Sequence, residues 1–452
     1  MTKPYAFKIK RMKFQLSILL KKYCLIFLTF IFFISNTLVF SKNSIETDTT
    51  VVERYGQLRV EGNKIVDKNS NPVSLRGMCL FWSQWMGRFY NYDCVEWLKD
   101  DWMCTVVRAS MGIESGGYLQ NPTIEKNKIT AVIDACIDLG IYVIVDWHDH
   151  NAHNHQQEAI DFFTEIAEQY GEYPNLIYEI YNEPTQVSWT NVIKPYAEAV
   201  VDSIRAIDPD NIIIVGTSTW SQDVDIASQS PLEFDNIAYA LHFYAATHKQ
   251  SLRNKASTAL NNGIALFVSE FGTCESTGDG PIDYTEVESW MNFMETNKIS
   301  WCNWSIADKV ETSAALMPGV SSNGGWSESD LTESGSLIRD KIIFFNDTTN
   351  TGIGDLRELP KNFKLYQNYP NPFNPITTIE YELQNNGQVI LDVLDLNGRK
   401  IKTLKRGFET KGNYKVSWDG SSDKGIKVSS GGYFYRLFFE NKNNYKKAIL
   451  LN

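Results

Sequence analysis

Glu183 and Glu270 are the residues of this chain whose types and surroundings best suit them to do chemistry together. Two carboxyl groups facing one cavity suit cleavage of a glycosidic bond. One must carry a proton to give to the leaving oxygen, and the other must be ionised to attack the anomeric carbon. That division requires surroundings that push the two pKa values apart. Both glutamates close apolar runs: Leu176–Tyr181 leads into Asn182-Glu183-Pro184, and Ala265–Phe271 holds Glu270. Other polar residues sit at the same ends of further runs. Arg108 lies in Thr105–Met111, and His148 and His150 follow Tyr142–Trp147. His242 and Tyr244 end Ile237–Tyr244, and Trp304 lies in Ser300–Ile306. An arginine near a carboxylate favours its ionised form, and a tyrosine hydroxyl can donate a hydrogen bond to it.

Something must hold these residues on one rim. The six runs, with Val73–Leu80 and Ile212–Gly216, are spread over residues 54–344. They are rich in Val and Ile, as expected of parallel strands covered on both faces. Amphipathic stretches lie between them. Ile129, Val132, Ile133, Cys136 and Ile137 repeat at helical spacing, as do Ile160, Phe163, Ile166, Ala167 and Tyr170. This alternation predicts an α/β fold, a (β/α)8 barrel, with a doubly wound open sheet as the structural alternative. A barrel places its site at the C-terminal ends of its strands, the ends at which these polar residues gather. Gln57–Pro72 reads as a preceding hairpin with its turn at Glu61-Gly62-Asn63.

Residues 345–358 read as a polar linker. Residues 359–452 read as a small all-β, immunoglobulin-like sandwich. Ile379, Tyr381 and Leu383 alternate with polar residues, as do Val389, Leu391 and Val393, and Asn397-Gly398 is a hairpin-turn signal. At the other end, Lys8, Lys10, Arg11, Lys13, Lys21 and Lys22 precede an apolar run, Cys24–Ile34. Residues 1–41 read as a signal peptide cut before Lys42, with a membrane anchor as the alternative. Cys79, Cys94, Cys104, Cys136, Cys274 and Cys302 remain after that cut and form no C-x-x-C pair. Most are expected to be buried free thiols, although export permits disulfides.

The formal net charge of -11 argues against a nucleic-acid partner and fits a neutral substrate. The 12 Trp and 22 Tyr offer faces for sugar rings, though most are expected to fill the core, and Trp82, Trp97, Trp102 and Trp147 are expected to serve packing rather than as platforms. Asp146-Trp147-His148-Asp149-His150-Asn151-Ala152-His153-Asn154-His155 superficially resembles the histidine spacing of metal-dependent hydrolases. Only His242 and His248 remain as further histidine ligands, and neither a metal nor another cofactor is expected. His153 and His155 are expected to be solvated loop residues.

The ordered series Arg76-Gly77-Met78, Gln84-Trp85, Val107-Arg108-Ala109, Asp146-Trp147-His148, Tyr181-Asn182-Glu183-Pro184, His242-Phe243-Tyr244, Ser269-Glu270-Phe271-Gly272 and Trp304-Ser305-Ile306-Ala307-Asp308-Lys309 resembles the bacterial cellulase branch of glycoside hydrolase family 5. The resemblance covers residues 55–344. It implies a retaining, endo-acting cleavage of β-1,4-glucan, with Glu183 as acid/base and Glu270 as nucleophile. By the same resemblance Asn182 holds the 2-hydroxyl of the reacting sugar, and Arg108 and Tyr244 orient and ionise Glu270. His148 and His242 position that sugar and the carboxylates, and Trp304 lies under it. Trp85 becomes a stacking platform on the non-reducing side, where Lys309 and Glu311 bond hydroxyls, and Trp220 lies on the leaving-group side. Two departures are expected to line the cleft and bear on subsite specificity. Gly112 stands where some relatives carry Tyr, and Phe81 where some carry His. A mannanase or other β-glycanase on the same barrel is one alternative, and a non-catalytic carbohydrate-binding surface protein is another.

The end of the chain carries Tyr366-Gln367-Asn368-Tyr369-Pro370-Asn371-Pro372-Phe373-Asn374-Pro375, the Gly431-Gly432-Tyr433-Phe434-Tyr435 segment and Lys446-Lys447. These resemble the type A sorting domain of the type IX secretion system. The resemblance implies that secretion machinery as a partner and a secreted or outer-surface location on a Bacteroidetes-type cell. The closely spaced prolines predict an irregular segment before the sheets. A monomer is expected.

Overall fold

A computed structural model describes residues 49–346, 363–395, 400–439 and 442–451. The expected signal peptide, most of the expected linker and the Asn397-Gly398 turn lie outside the described residues. The chain divides into two compact units, Met1–Asp347 and Thr348–Asn452.

In the first unit β1 (Arg59–Glu61) and β2 (Lys64–Val66) pair antiparallel as the expected hairpin. Gly62 makes its turn with a φ of 60°, a conformation that glycine adopts without a Cβ penalty. Then follow β3 (Arg76–Leu80), β4 (Val106–Gly112), β5 (Tyr142–His148), β6 (Leu176–Glu179), β7 (Ile212–Val215), β8 (Ile237–Tyr244), β9 (Ala265–Gly272) and β10 (Ser300–Ile306). They form a closed barrel in which β10 pairs back onto β3, so the open sheet is excluded. Side chains alternate across each strand. Ile144, Ile177, Ile212, Ile214 and Phe267 fill the inside with Leu58 and Ile65 of the hairpin region. Val143, Val145, Ile213 and Val268 face the helices, meeting Ile129, Val132, Phe163 and Val200. Burial on both sides is why the strands read as unbroken apolar runs. Gly77 lets β3 approach β4, since a Cβ there would stand 1.7 Å from the carbonyl oxygen of Val106.

The last helix of this unit, Glu333–Asn346, runs two residues past the expected end of the barrel. Asn346 accepts a hydrogen bond from Arg76 at 2.9 Å and donates to the Met103 carbonyl at 2.9 Å. Arg76 also pairs with Glu295 at 2.5 Å. The polar composition around Asn346 reads as linker only because its partners are far away in sequence. Cys79, Cys94, Cys104, Cys136, Cys274 and Cys302 are buried and unpaired.

The second unit is a two-sheet sandwich. One sheet holds β11 (Phe363–Leu365), β12 (Thr377–Leu383) and β15 (Gly412–Trp418). The other runs β14 (Lys400–Glu409), β13 (Gly387–Leu394), β16 (Gly431–Phe439) and β17 (Lys442–Leu450). Ile379, Tyr381, Leu383, Val389, Leu391, Val393, Tyr435, Leu437 and Phe439 share one core, as their alternation predicts. The proline-rich stretch before β12 is irregular, held by isolated bridges from Tyr369 to Thr378 and from Phe373 to Leu450. Among the described residues no helix is long and apolar enough to cross a membrane.

Candidate active site

Arg108 lies wholly buried in β4. Its guanidinium is surrounded by acceptors. Nε donates to Glu179 Oε2 at 2.6 Å, and Nη2 donates to Asn182 Oδ1 at 2.7 Å and lies 2.9 Å from Asp146 Oδ2. Nη1 donates to Glu270 Oε2 at 3.1 Å. The planar fork thus joins strands β4, β5, β6 and β9 in one plane of hydrogen bonds, a geometry that lysine cannot supply. Tyr244, ending β8, donates to the other Glu270 oxygen at 3.0 Å. Burial and then the Glu270 charge push the Tyr244 phenol far up, so it stays a donor.

Glu183 follows β6 and meets His242 of β8, whose Nδ1 lies 3.0 Å from Glu183 Oε1. An oxygen of Glu183, an oxygen of Glu270 and a nitrogen of His242 all lie within 4.8 Å of one another. That trio is also the one set among the described residues spaced to hold a metal ion. The histidine run forms no such set. His153 Nδ1 lies 2.8 Å from the Tyr181 hydroxyl and His155 Nδ1 lies 2.7 Å from Asp149. Both are half-buried and hydrogen-bonded, which corrects the expectation of solvated loop residues. His150 reaches the site itself, with Nδ1 3.2 Å from the Glu183 carbonyl oxygen.

Burial alone would lower the His242 pKa. Glu179, whose Oε1 lies 3.7 Å from Nε2, the hydrogen bond with Glu183 and the charges of Glu270 and Glu183 overcome it and push the value up to about 9. His148 goes the other way. Burial and then Arg108 hold it well below its ordinary value, so it is neutral, 2.6 Å from Asp146. For Glu179 the effects of Arg108 and His242 outweigh burial and leave the carboxyl below its ordinary value. Glu270 differs from expectation. Burial and then the charge of Glu183 raise it, against His242, Arg108 and Tyr244, which lower it. The raised His242 carries a stability signature. Its contribution is fully present below its unfolded value near ~6.5 and is lost as pH rises through about 9. Thermal melts of the full chain are expected to fall between about pH 6.5 and 9, and to fall less in His242→Gln.

Aromatic residues make one side of the site. Trp304 is stacked on His148, with ring centroids 5.1 Å apart and planes 1° apart. Trp82 stands edge-on to His148 at 4.1 Å and lies 5.1 Å from Trp85. Trp82, expected to serve packing, therefore links the exposed Trp85 to the polar centre. Lys309 pairs with Glu311 at 2.6 Å and sits 4.7 Å above the Phe81 ring. Both departures are buried. Phe81 is buried under Trp304, Trp85 and Lys309. Gly112 is buried too, and a Cβ there would stand 1.8 Å from the Gln84 amide oxygen, so Gln84 takes that room. Trp220 is half-exposed after β7. Thr219, Trp220 and Ser221 all have positive φ, a costly run for non-glycine residues. It is held by Trp220 N donating to the Pro184 carbonyl at 2.8 Å and by Ser221 Oγ donating to the Asn182 carbonyl at 2.8 Å. Trp220 is thereby tied to the segment that carries Glu183.

Sequence reasoning passed over Glu179 and Ser269 as working groups. A charge ending the otherwise apolar run Leu176–Glu179 was the available signal for the first. Ser269 stands beside Glu270 in the Ser269-Glu270-Phe271-Gly272 motif, the available signal for the second, although nothing local gives its hydroxyl a partner.

Comparison with known proteins follows this geometry. Residues 66–310 match the family described as Cellulase (glycosyl hydrolase family 5), and residues 367–451 match the Secretion system C-terminal sorting domain. An endoglucanase of Clostridium saccharobutylicum is 47% identical over 317 residues, 69% of this chain and 71% of that protein. Two further curated endoglucanases are covered over 66% of their lengths. A solved chain from Cytophaga hutchinsonii is 54% identical, with a TM-score of 0.66 over 66% of this chain and 98% of that one. The catalytic domain of Thermobifida fusca endoglucanase Cel5A, solved with cellotetraose, is 38% identical, with a TM-score of 0.63 over 65% and 99%. A sorting domain of this kind marks a secreted or cell-surface protein. The chain belongs to glycosyl hydrolase family 5, the cellulases, and ends in a secretion-system C-terminal sorting domain.

Proposed function

We propose that this chain is a retaining endo-1,4-β-glucanase in which Glu183 is the acid/base and Glu270 the nucleophile. The observation that carries the reading is the approach of Glu183 and Glu270 oxygens to within 4.8 Å at the C-terminal mouth of the barrel. Retaining enzymes place their carboxyls about 5–5.5 Å apart, and inverting ones leave a wider gap for water. With a proton on Glu183 its charge no longer adds to the effect of burial on Glu270, while Arg108 and Tyr244 still donate to the Glu270 carboxylate. Glu270 then attacks the anomeric carbon as Glu183 protonates the leaving oxygen. In the second step Glu183 takes a proton from a water whose oxygen attacks the anomeric carbon, and the bond from that carbon to Glu270 breaks, which releases the sugar.

Asn182 spends its oxygen on Arg108 and has a side-chain nitrogen without a protein partner, which suits it to donate to the 2-hydroxyl. His148 and His242 position the same sugar over Trp304. Trp85, with Lys309 and Glu311 beyond Phe81, serves the non-reducing side, and Trp220 beside Pro184 serves the leaving group. Viscosity of carboxymethylcellulose is expected to fall faster than reducing ends appear, at the same rate with and without a strong chelator. Activity on mannan alone would overturn the substrate, and an enzyme stopped by chelation and restored by zinc would overturn the metal-free chemistry.

Residues 359–452 serve export through the type IX machinery across the outer membrane of a Bacteroidetes-type cell, and the barrel works as a monomer. A chain ending at Thr348 is expected to unfold cooperatively, to elute as a monomer in size-exclusion chromatography and to keep its turnover. Loss of cooperative unfolding would show that the units depend on each other.

A further inference from the structure

Glu179 is wholly buried at the end of β6, and the chemistry above makes no use of it. Its two oxygens serve different partners. Oε2 accepts from Arg108, which goes on to Glu270. Oε1 accepts from the Ser269 hydroxyl at 2.5 Å. Ser269 Oγ lies 2.9 Å from His242 Nε2, and His242 Nδ1 lies 3.0 Å from Glu183 Oε1. A line of hydrogen bonds therefore runs from a buried carboxylate to the proposed acid/base.

The direction of that line follows from hydrogen counting. Serine has one hydroxyl hydrogen, and a carboxylate can only accept. The Ser269 hydrogen therefore goes to Glu179, and Ser269 Oγ is left as an acceptor toward His242. His242 Nε2 must then be the donor. Only Nδ1 remains free to change. When Glu183 is ionised, Nδ1 carries a hydrogen and the ring is an imidazolium. When Glu183 is protonated, Nδ1 can accept from it and the ring can be neutral. We propose that Glu179 and Ser269 are positioning residues that lock a hydrogen onto His242 Nε2, so that Nδ1 alone follows the proton of Glu183 as it alternates between acid and base. This rests on the reading of Glu183 as the acid/base.

The charged and titratable groups around His242 are Glu179 and Glu183 at and after β6, Glu270 on β9, and Tyr244 on its own strand. Arg108 on β4, and Asp146 and His148 on β5, complete the set. Of these, Glu179 is the group that the Ser269 hydroxyl joins to Nε2. Removing that hydroxyl takes away the bridge and leaves in place both the Arg108 bond to Glu179 and the 3.7 Å approach of Glu179 Oε1 to Nε2.

The test uses the full chain with ¹⁵N-labelled histidine and three variants, Ser269→Ala, Ser269→Thr and Glu179→Gln. Imidazole ¹⁵N shifts report which ring nitrogen carries hydrogen at each pH, and kcat and KM are followed over the same range. In Ser269→Ala the His242 titration is expected to move down by about one pH unit, with the alkaline limb of kcat moving with it. At the optimum kcat is expected to fall about tenfold and KM to change less than about twofold. Ser269→Thr, which keeps the hydroxyl, is expected to restore both. Glu179→Gln, whose amide can donate and so reverse the serine, is expected to move the titration at least as far. A His242 titration and alkaline limb unchanged in Ser269→Ala would overturn the lock, whatever happened to the rate. A parent chain without activity on carboxymethylcellulose would overturn the reading of Glu183, while the ¹⁵N titration would still decide the lock.

Discussion

Glu270→Ala is expected to lower turnover of carboxymethylcellulose by about 10⁵-fold, the scale of losing a covalent nucleophile. The vacated space lies between the Arg108 and Tyr244 donors, 3.1 and 3.0 Å from the missing oxygens. A small anion fits that position. With an activated β-glycosyl fluoride as donor, azide in that position is expected to attack the anomeric carbon, expel fluoride and give an α-glycosyl azide. In Glu183→Ala the nucleophile remains, so an activated aryl glycoside still forms the covalent intermediate. Azide then enters from the other face and gives a β-glycosyl azide, where the Glu270 variant gives none by that route. The stereochemistry of the azide products thus assigns each role separately from the size of the rate loss. The opposite pairing would reverse the two glutamates. Inverted products from the unmodified enzyme would remove the covalent step altogether.

Arg108→Met is expected to destabilise the barrel by about 3–5 kcal/mol, since it leaves buried carboxylates without their cation. Glu179 is wholly buried and Glu270 nearly so, and both are held by this one guanidinium. Asp146, which burial already pushes well above its ordinary value, loses the charge that opposes that shift. Arg108→Lys keeps the charge but not the fork, so it is expected to recover part of the stability and little of the activity. Urea unfolding followed by circular dichroism, with kcat measured on the same samples, checks both statements. A stability loss under about 1 kcal/mol in Arg108→Met would mean that the surrounding acids are not ionised in the fold.

The parts of the site that were legible in the sequence are those whose local context is sufficient. Glu270 and His242 end apolar runs that can only be buried strands, and such ends point to the barrel mouth. The closure of β10 onto β3 was an expectation from the count of strands, and the register Trp301 to Arg76 is what the fold added. Trp82 packs against the core, as expected of a tryptophan beside a buried strand, and its edge-on contact with His148 is what the fold added. Asn346 reads as linker because it is a polar residue whose partners lie far away in sequence.

By itself the sequence determined which strands form, where they end to within about two residues and which side chains stand near those ends. Periodicity and burial of apolar groups are properties of neighbouring residues, and they act before distant parts of the chain meet. What only the tertiary structure decided is how those side chains share protons. The rise of His242 to about 9, the neutral His148 and the opposed shifts of Glu179 and Glu270 depend on distances of 2.5–3.1 Å between strands far apart in sequence. Electrostatic effects inside a dry barrel vary steeply with separation and burial. Residue type cannot carry that information, and Ser269 shows the point most plainly. Its hydroxyl is unremarked among the serines of the chain until β6, β8 and β9 close around it and give it one carboxylate and one imidazole to join.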